Sequence, residues 1–454
     1  MTAIDDRPHD DVLAGAIAML SGPELLPACR EQLTDVEDDR RRRWTRLNLV
    51  ESAYHPGRYV RVVVAMMTEE DVPQRRLWPE AHLIYLHTPV RTPMSRRGNV
   101  LRIGRESFEA YCFPEDRRLR GLRKFAGSND AAEQWARWNE RAGGSGRIIP
   151  ETLQRVLLRY VPEDRWVVRL RAEFEDHATG QRTKRRIAVR CTSPAAAADI
   201  LRRQDQVRRE LHEREATIRV PEVKGADVEL GLIAVEWDRG DSLLTALREG
   251  GAVPVLLGAA DALRLFHRLR LGDLPTLGDV DVRASATAAA EQVGLACPSL
   301  AERLRSTSDG VGRALADAAP RIRSTLHNDF HPMQVNVKRG RFTFLDLDRM
   351  ALGDPLVDVA NFAVQLRMLA DRPEYGVDAA TAHEWATGFL DEWSQKSNAP
   401  WDTDRFRAYA ATSALTLALG MMRHLRPGWR PLAERCTEVA ERLLGATTAR
   451  VLTS

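Results

Sequence analysis

The chain has 454 residues, 44% hydrophobic and 29% charged, enough apolar material for a large core and too little bias for disordered, collagen-like or fibrous classes. Its 67 Lys and Arg against 64 Asp and Glu leave a net charge of +3, so no whole-molecule basic field recruits nucleic acid or anionic lipid. Five dispersed cysteines without a CxxC pair argue against a disulfide framework or a thiolate zinc site and fit a reducing cytoplasm.

Residues 1–11 are acidic and polar where a signal peptide needs a basic start and an apolar run, so a cytoplasmic location is expected. The most apolar stretch, 415–422, is far short of a membrane span, which needs about 20 residues. Residues 10–43 read as helix from the spacing of Val12, Ala16 and Met19, with a break at Ser21-Gly22-Pro23. The arginine run at 40–43 reads as a solvated helix face. Strand character follows at 59–66, 82–86 and 100–112, the last ended by the turn residues Phe113-Pro114-Glu115-Asp116. Gly143-Gly144-Ser145-Gly146 reads as a linker, because consecutive glycines hold no packed element.

Beyond the linker, strands are expected at 154–160, 165–174 and 185–191, then a helix from Pro194 to about Glu215 capped by Ser193, then a buried strand at 230–236. After Trp237 the pattern is helical almost throughout. Strands in one part and helices in another predict an α+β, two-lobed architecture. The expected divisions are an accessory α+β domain at 1–146, a strand-rich lobe at 147–240 and a helical lobe at 241–454.

An internal echo runs through the first half. Tyr54-His55-Pro56 precedes one strand pair that closes at His87-Thr88-Pro89, and Tyr160-Val161-Pro162 precedes another that closes at Thr192-Ser193-Pro194. The offsets are 106 and 104 or 105. This reads as a duplicated small sheet, against the alternative of two unrelated hairpins sharing common turn residues.

The densest run of reactive residues is His327-Asn328-Asp329-Phe330-His331-Pro332-Met333-Gln334-Val335, followed by Phe342-Thr343-Phe344-Leu345-Asp346-Leu347-Asp348. Two short strands with a turn at Lys338-Arg339-Gly340 would fold the second segment back beside the first. Phosphoryl transfer calls for such a set. One carboxylate accepts the proton of an attacking hydroxyl, and an amide oxygen with a second carboxylate holds magnesium against the nucleotide phosphates. His327, Asp329 and His331 also alternate, so a strand there would gather them on one face as a zinc site for a metallohydrolase.

The arrangement resembles the catalytic and metal loops of aminoglycoside phosphotransferases and the wider choline-kinase-like family, small-molecule relatives of protein kinases. The resemblance implies ATP or another NTP with Mg2+, and a hydroxyl on a sugar, amino sugar or related small metabolite as acceptor. It assigns Asp329 as catalytic base, His327 as a loop-bracing histidine of the catalytic segment, and Asp346 as the magnesium-chelating aspartate. Gln334 stands where most members have a metal-binding Asn, a replacement shared by some members, including maltokinase-like enzymes. Gly353-Asp354-Pro355 with Asp358 matches the family's GDPxxD. Asp348 and Asp354 read as turn and cap carboxylates, His331 as a loop or substrate contact, and His267 as a core histidine. Residues 232–240 resemble the hinge strand, where the main chain of Glu236 and Trp237 would carry the adenine. Phe113-Pro114-Glu115-Asp116 with Leu119 and Gly121-Leu122 resembles a segment ahead of the kinase region in one bacterial branch.

Two departures stand out. The family's phosphate-holding Lys falls at Arg190, which reads equally as an outward-facing strand arginine, and the turn between the first two strands of the lobe, Tyr160-Val161-Pro162-Glu163-Asp164-Arg165, has no glycine, so either the Arg165 side chain helps hold phosphate there or nucleotide is held loosely. They motivate the alternative of a catalytically impaired, kinase-shaped binding or scaffold protein. In the first copy of the echo the Arg190 position is expected at Leu86, giving a packing platform or a substrate-facing lid. Oligomeric state is not encoded in any pattern of the chain.

Overall fold

The computed structural model describes residues 10–445 apart from 11–12, 21, 70–82, 90–98, 126, 145, 214–216, 250, 317–322 and 398–400. Val12, Ser21, His82, Ser145 and Glu215 of the expected elements therefore lie outside the described residues. The chain divides into two compact units. One comprises residues 1–201, 222–237 and 423–427, and the other 202–221, 238–422 and 428–454.

In the first unit the expected long helix is three short ones, α1 (Ala14–Leu20), α2 (Leu25–Gln32) and α3 (Asp38–Arg42). Gly22-Pro23 breaks the first junction, since proline has no N–H to continue a helix. Then come β1 (Arg46–His55), β2 (Tyr59–Met67), β3 (Leu83–Thr88), β4 (Asn99–Ile103) and β5 (Glu106–Cys112), an antiparallel sheet in the order β1-β2-β3-β5-β4. Helix α4 (Ser128–Arg141) follows. The glycine run ends where the next strand begins, because Gly146 already pairs with Asp176.

The second sheet is built from β6 (Gly146–Val161), β7 (Arg165–Asp176) and β8 (Arg182–Cys191). After α5 (Pro194–Glu213) and β9 (Ile218–Arg219) come β10 (Val223–Asp227) and β11 (Leu232–Glu236). Its order is β6-β7-β8-β11-β10, the same path as the first sheet once the strands are counted from its own start.

A common apolar core runs from Val63, Ala65 and Leu83 of the first sheet through Phe125, Trp135 and Trp138 to Trp166, Val168, Phe174, Val189 and Leu232 of the second. Aromatic rings dominate it, with Phe125 stacked on Trp138 at 5.7 Å and Trp135 edge-on to Phe174 at 5.1 Å. Helix α4 reaches β10 because residue 225 is glycine. A Cβ there would stand 2.2 Å from Trp138 Cγ.

The second unit is mostly helical: α6 (Leu243–Glu249), α7 (Ala252–His267), α8 (Asp279–Ala296), α9 (Ala301–Ala314), α10 (Leu356–Arg367), α11 (Ala379–Lys396), α12 (Thr403–Arg423) and α13 (Trp429–Gly445). Short strands stand among them. β12 (Asp241–Ser242), β14 (Val335–Lys338) and β15 (Arg341–Phe344) form a sheet with β9, while β13 (Ser324–Leu326) pairs with β16 (Ala351–Gly353). Strand-built and helix-built parts are thus segregated, the α+β, two-lobed organisation of a kinase-like chain. No helix among the described residues is long and apolar enough to cross a membrane.

The five cysteines are free. Burial pushes the Cys191 thiol up to about 12, against backbone hydrogen bonds at Gly121 and Leu122, so it packs as an apolar side chain.

Candidate active site

The reactive run sits where two strand pairs bring distant sequence together. β14 and β15 form a tight hairpin, Lys338 opposite Arg341, whose two turn residues Arg339 and Gly340 have φ of 49° and 74°, the left-handed pair that a two-residue hairpin requires. This folds residue 346 back toward residue 334. The N–H of Leu345 donates to the carbonyl of Gln334 at 2.9 Å, and the Gln334 amide lies 3.4 Å from Asp346 Oδ2. Downstream, β16 pairs with β13, Leu326 opposite Ala351, and closes the second loop onto the root of the first.

Buried Asp358, in the first turn of α10, braces the first loop from beneath. Its Oδ2 accepts the N–H of His327 at 2.8 Å and lies 3.1 Å from His267 Nε2, while its Oδ1 accepts the N–H of Asn328 at 2.7 Å. Asn328 and Asp346 both take the left-handed conformation, with φ of 58° and 53°, which short side chains able to bond their own backbone tolerate best. The Asn328 side chain donates to the carbonyl of Arg349 at 3.1 Å and ties the two loops directly. Asn361 of α10 donates to the carbonyl of Phe330 at 2.9 Å.

His327 is fully buried, its Nε2 2.9 Å from the carbonyl of Leu345 and its ring among Phe266, Phe330 and Phe344. It braces the loop and does not face an acceptor. Asp329 is partly exposed, its Oδ2 4.0 Å from Arg349 Nε. His331 Nδ1 accepts the N–H of Met333 at 3.2 Å. Burial pushes the His331 imidazole below its ordinary value, with the carboxylate of Asp329 pulling the other way, so the ring stays a neutral acceptor. Asp354 is a helix-start acceptor, taking the N–H of Leu356 at 3.0 Å.

The alternative zinc site is overturned. Strand β13 ends at Leu326 and the left-handed Asn328 breaks the alternation, so His327, Asp329 and His331 do not share a strand face. Among the described residues no group of three or more His, Cys, Asp or Glu is placed to hold a metal ion. Gln334 donates its amide N–H to Asp346 Oδ2 at 3.4 Å, so its amide oxygen and the Asp346 carboxylate belong to one cluster, a donor chemistry that fits magnesium, which keeps its remaining positions for water and phosphate oxygens.

The residues expected to hold nucleotide belong to the first unit. Arg190 lies on β8 between Val167 of β7 and Ile233 of β11, half-buried. Arg165 opens β7 opposite Val161, with its Nε 3.6 Å from Asp164. At the expected hinge the N–H of Glu236 donates to the carbonyl of Glu222 at 2.7 Å and that of Trp237 to the carbonyl of Arg186 at 3.3 Å, so both N–H groups are engaged within the first unit. The Trp237 ring carries the Arg169 guanidinium 5.1 Å from its centroid.

Sequence reasoning read His267 correctly as a core histidine but without its partner, and missed Asn361. His267 reads as one more residue of an apolar helix, and only the fold shows that it lies 91 positions from its partner Asp358 and within 3.1 Å of it.

Compared with known proteins, residues 147–412 match the model of the phosphotransferase enzyme family, APH. No curated protein matches the chain. Among solved structures, a thermostable mutant of aminoglycoside phosphotransferase APH(4)-Ia in ternary complex with AMP-PNP and hygromycin B is 18% identical, with a TM-score of 0.47 over 69% of this chain and 99% of that one. A choline/ethanolamine kinase family protein from Mesorhizobium loti is 16% identical, with a TM-score of 0.44 over 72% and 97%. The amicoumacin kinase hAmiN in complex with AMP-PNP, Ca2+ and Ami is 14% identical, with a TM-score of 0.44 over 66% and 91%.

Proposed function

The chain belongs to the phosphotransferase enzyme family, a phosphotransferase of hydroxyl groups, and on that premise we propose that it moves the γ-phosphoryl group of ATP to a hydroxyl of a sugar, amino sugar or related metabolite. One observation carries the assignment of roles: a single hairpin sets Gln334 and Asp346 within 3.4 Å of each other, on a loop that also presents Asp329 and is braced by buried Asp358.

Asp329 holds the acceptor hydroxyl and takes its proton as the oxygen attacks phosphorus. The partly exposed carboxylate has the access this needs, with Arg349 Nε 4.0 Å from its Oδ2. Gln334 and Asp346 would hold Mg2+, which when bound neutralises charge on the phosphate oxygens. His331, kept neutral, leaves the charge of Asp329 uncompensated from its own side of the loop and fixes the backbone through Met333. His327 and Asp358 hold both loops in place, so little reorganisation is left for the moment of transfer. On the first unit, Arg190 and Arg165 would meet the nucleotide phosphates and the main chain of Glu236 and Trp237 the base.

The test is transfer of label from γ-labelled ATP, with magnesium, to a panel of polyols, sugars and amino sugars. Labelled acceptor is the expected result. Absence of transfer to every hydroxyl compound, with no binding of magnesium-ATP, would sink the proposal.

A further inference from the structure

The two sheets of the first unit match beyond strand order. Asp10 Oδ2 accepts the phenol of Tyr54 at 2.7 Å and the N–H of Gly57 at 2.8 Å, and its Oδ1 accepts the N–H of Leu13 at 3.0 Å. Asp116 repeats all three bonds 106 residues later. Its Oδ2 accepts the phenol of Tyr160 at 3.0 Å and the N–H of Glu163 at 3.0 Å, and its Oδ1 the N–H of Leu119 at 3.1 Å. Both hairpins turn through the same conformation, Gly57 and Glu163 each having φ of 64°. At that one position the first turn has the residue the geometry favours and the second a glutamate, which bears the cost of a left-handed backbone.

The Glu163 side chain accounts for the exchange. It is buried against the first sheet, where the Tyr85 phenol donates to its Oε1 at 2.9 Å and Arg61 Nη2 stands 3.7 Å from its Oε2. Arg61 also donates to the carbonyl of Pro162, the neighbouring turn residue, at 3.3 Å. Tyr85 is held in turn by stacking on Tyr111 at 5.4 Å and an edge contact with His87 at 6.4 Å. A turn that lacks glycine is thus held from both copies, by Asp116 and, 3.9 Å from Glu163 Oε2, Arg118 Nε of its own and by Tyr85 and Arg61 of the other.

We infer that the first sheet is a second copy of the nucleotide-holding sheet, given over to clamping the phosphate-covering turn of the other, with Tyr85 and Arg61 as positioning residues that act on nucleotide through Glu163. The inference rests on the reading of 161–165 as the phosphate-covering turn. Its specific content is that residues of the accessory region set the affinity for ATP and leave the acceptor side untouched.

The experiment compares Tyr85→Phe, Glu163→Gly and Glu163→Gln with the wild-type full chain in steady-state transfer, varying ATP and acceptor separately. Tyr85→Phe keeps the ring stack and loses only the hydrogen bond. Glu163→Gly relieves the backbone and loses the anchor, and Glu163→Gln keeps an acceptor for Tyr85. Loss of a buried hydrogen bond to a charged group predicts a rise of roughly tenfold in KM for ATP in the first two variants. kcat and the acceptor KM should stay within about twofold, and Glu163→Gln, which keeps an acceptor for Tyr85 but loses the charge facing Arg61, should raise the KM for ATP by less than Glu163→Gly. A merely structural contact would lower the urea midpoint without this split. Should Tyr85→Phe fail to fold, the two Glu163 variants decide alone. An unchanged or lower KM for ATP in Glu163→Gly, with the wild type active, overturns the clamp and spares the proposed function. A wild type that neither binds nor turns over ATP overturns both.

Discussion

Two carboxylates of the catalytic segment make opposite predictions. Asp329 is partly exposed, with Arg349 Nε 4.0 Å from its Oδ2, so Asp329→Ala should cost at least about a hundredfold in turnover, the usual scale for a positioned base, with affinity for magnesium-ATP retained. Separate kcat and nucleotide-binding measurements check this, and equal loss of both would mean the role is misassigned. Asp358 is buried and accepts the N–H groups of His327 and Asn328. Asp358→Ala strands those donors and His267, and should destabilise the second unit by about 3 kcal/mol or more, read as a lower urea midpoint. The hairpin that returns Asp346 to Gln334 and the burial of His267 were legible in the sequence because each shows in a local pattern. Asn361 and the partner of His267 were not, since they are set by helix packing that no local pattern encodes.

Among the elements, strand register was the hardest feature to read. Counting from the shared turn residues places Leu86 at the position of Arg190, but the pairing puts His87 opposite Arg61 just as Arg190 stands opposite Val167. A slip of one residue exchanges the two faces of a strand, so a packing platform or substrate-facing lid was expected where the sheet presents Tyr85 to Glu163. Strand β1 and helix α4 also escaped notice. β1 carries Arg46, Asn48 and Glu51 among its apolar residues, and α4 is mostly polar with its core contribution concentrated in Ala131, Ala132, Trp135 and Trp138. That helix depends on Gly225. Gly225→Ala drives a methyl into the Trp138 ring and should destabilise the first unit by about 1–3 kcal/mol, the range for overpacked cores, measurable by denaturant titration. An unaffected midpoint would show that α4 has room to shift.

For the whole molecule, pH acts through a histidine in the first hairpin. Burial, aided by the charges of Arg423, Arg61 and Arg58, lowers His55 from 6.5 to about 4. The folded chain therefore resists a proton that the unfolded chain accepts. The stability held in the neutral ring is complete above pH 6.5 and is lost as pH falls toward about 4. His55→Gln should flatten the dependence of the urea midpoint on pH across that window, and an identical slope in both proteins would contradict the assignment. The two-lobed α+β class was readable at this scale from strands crowding one part and helices the other. The shared core of the two sheets was not, because it joins residues as distant as Val63 and Leu232.

Calorimetric titration of a non-hydrolysable ATP analogue at graded Mg2+ concentrations, into the wild type and into Asp346→Asn, tests the metal-holding hairpin most directly. The wild type should bind the nucleotide more tightly as Mg2+ rises, and the variant should lose that dependence. Binding that ignores Mg2+ in the wild type, or keeps its full dependence in the variant, would contradict the site built on Gln334 and Asp346.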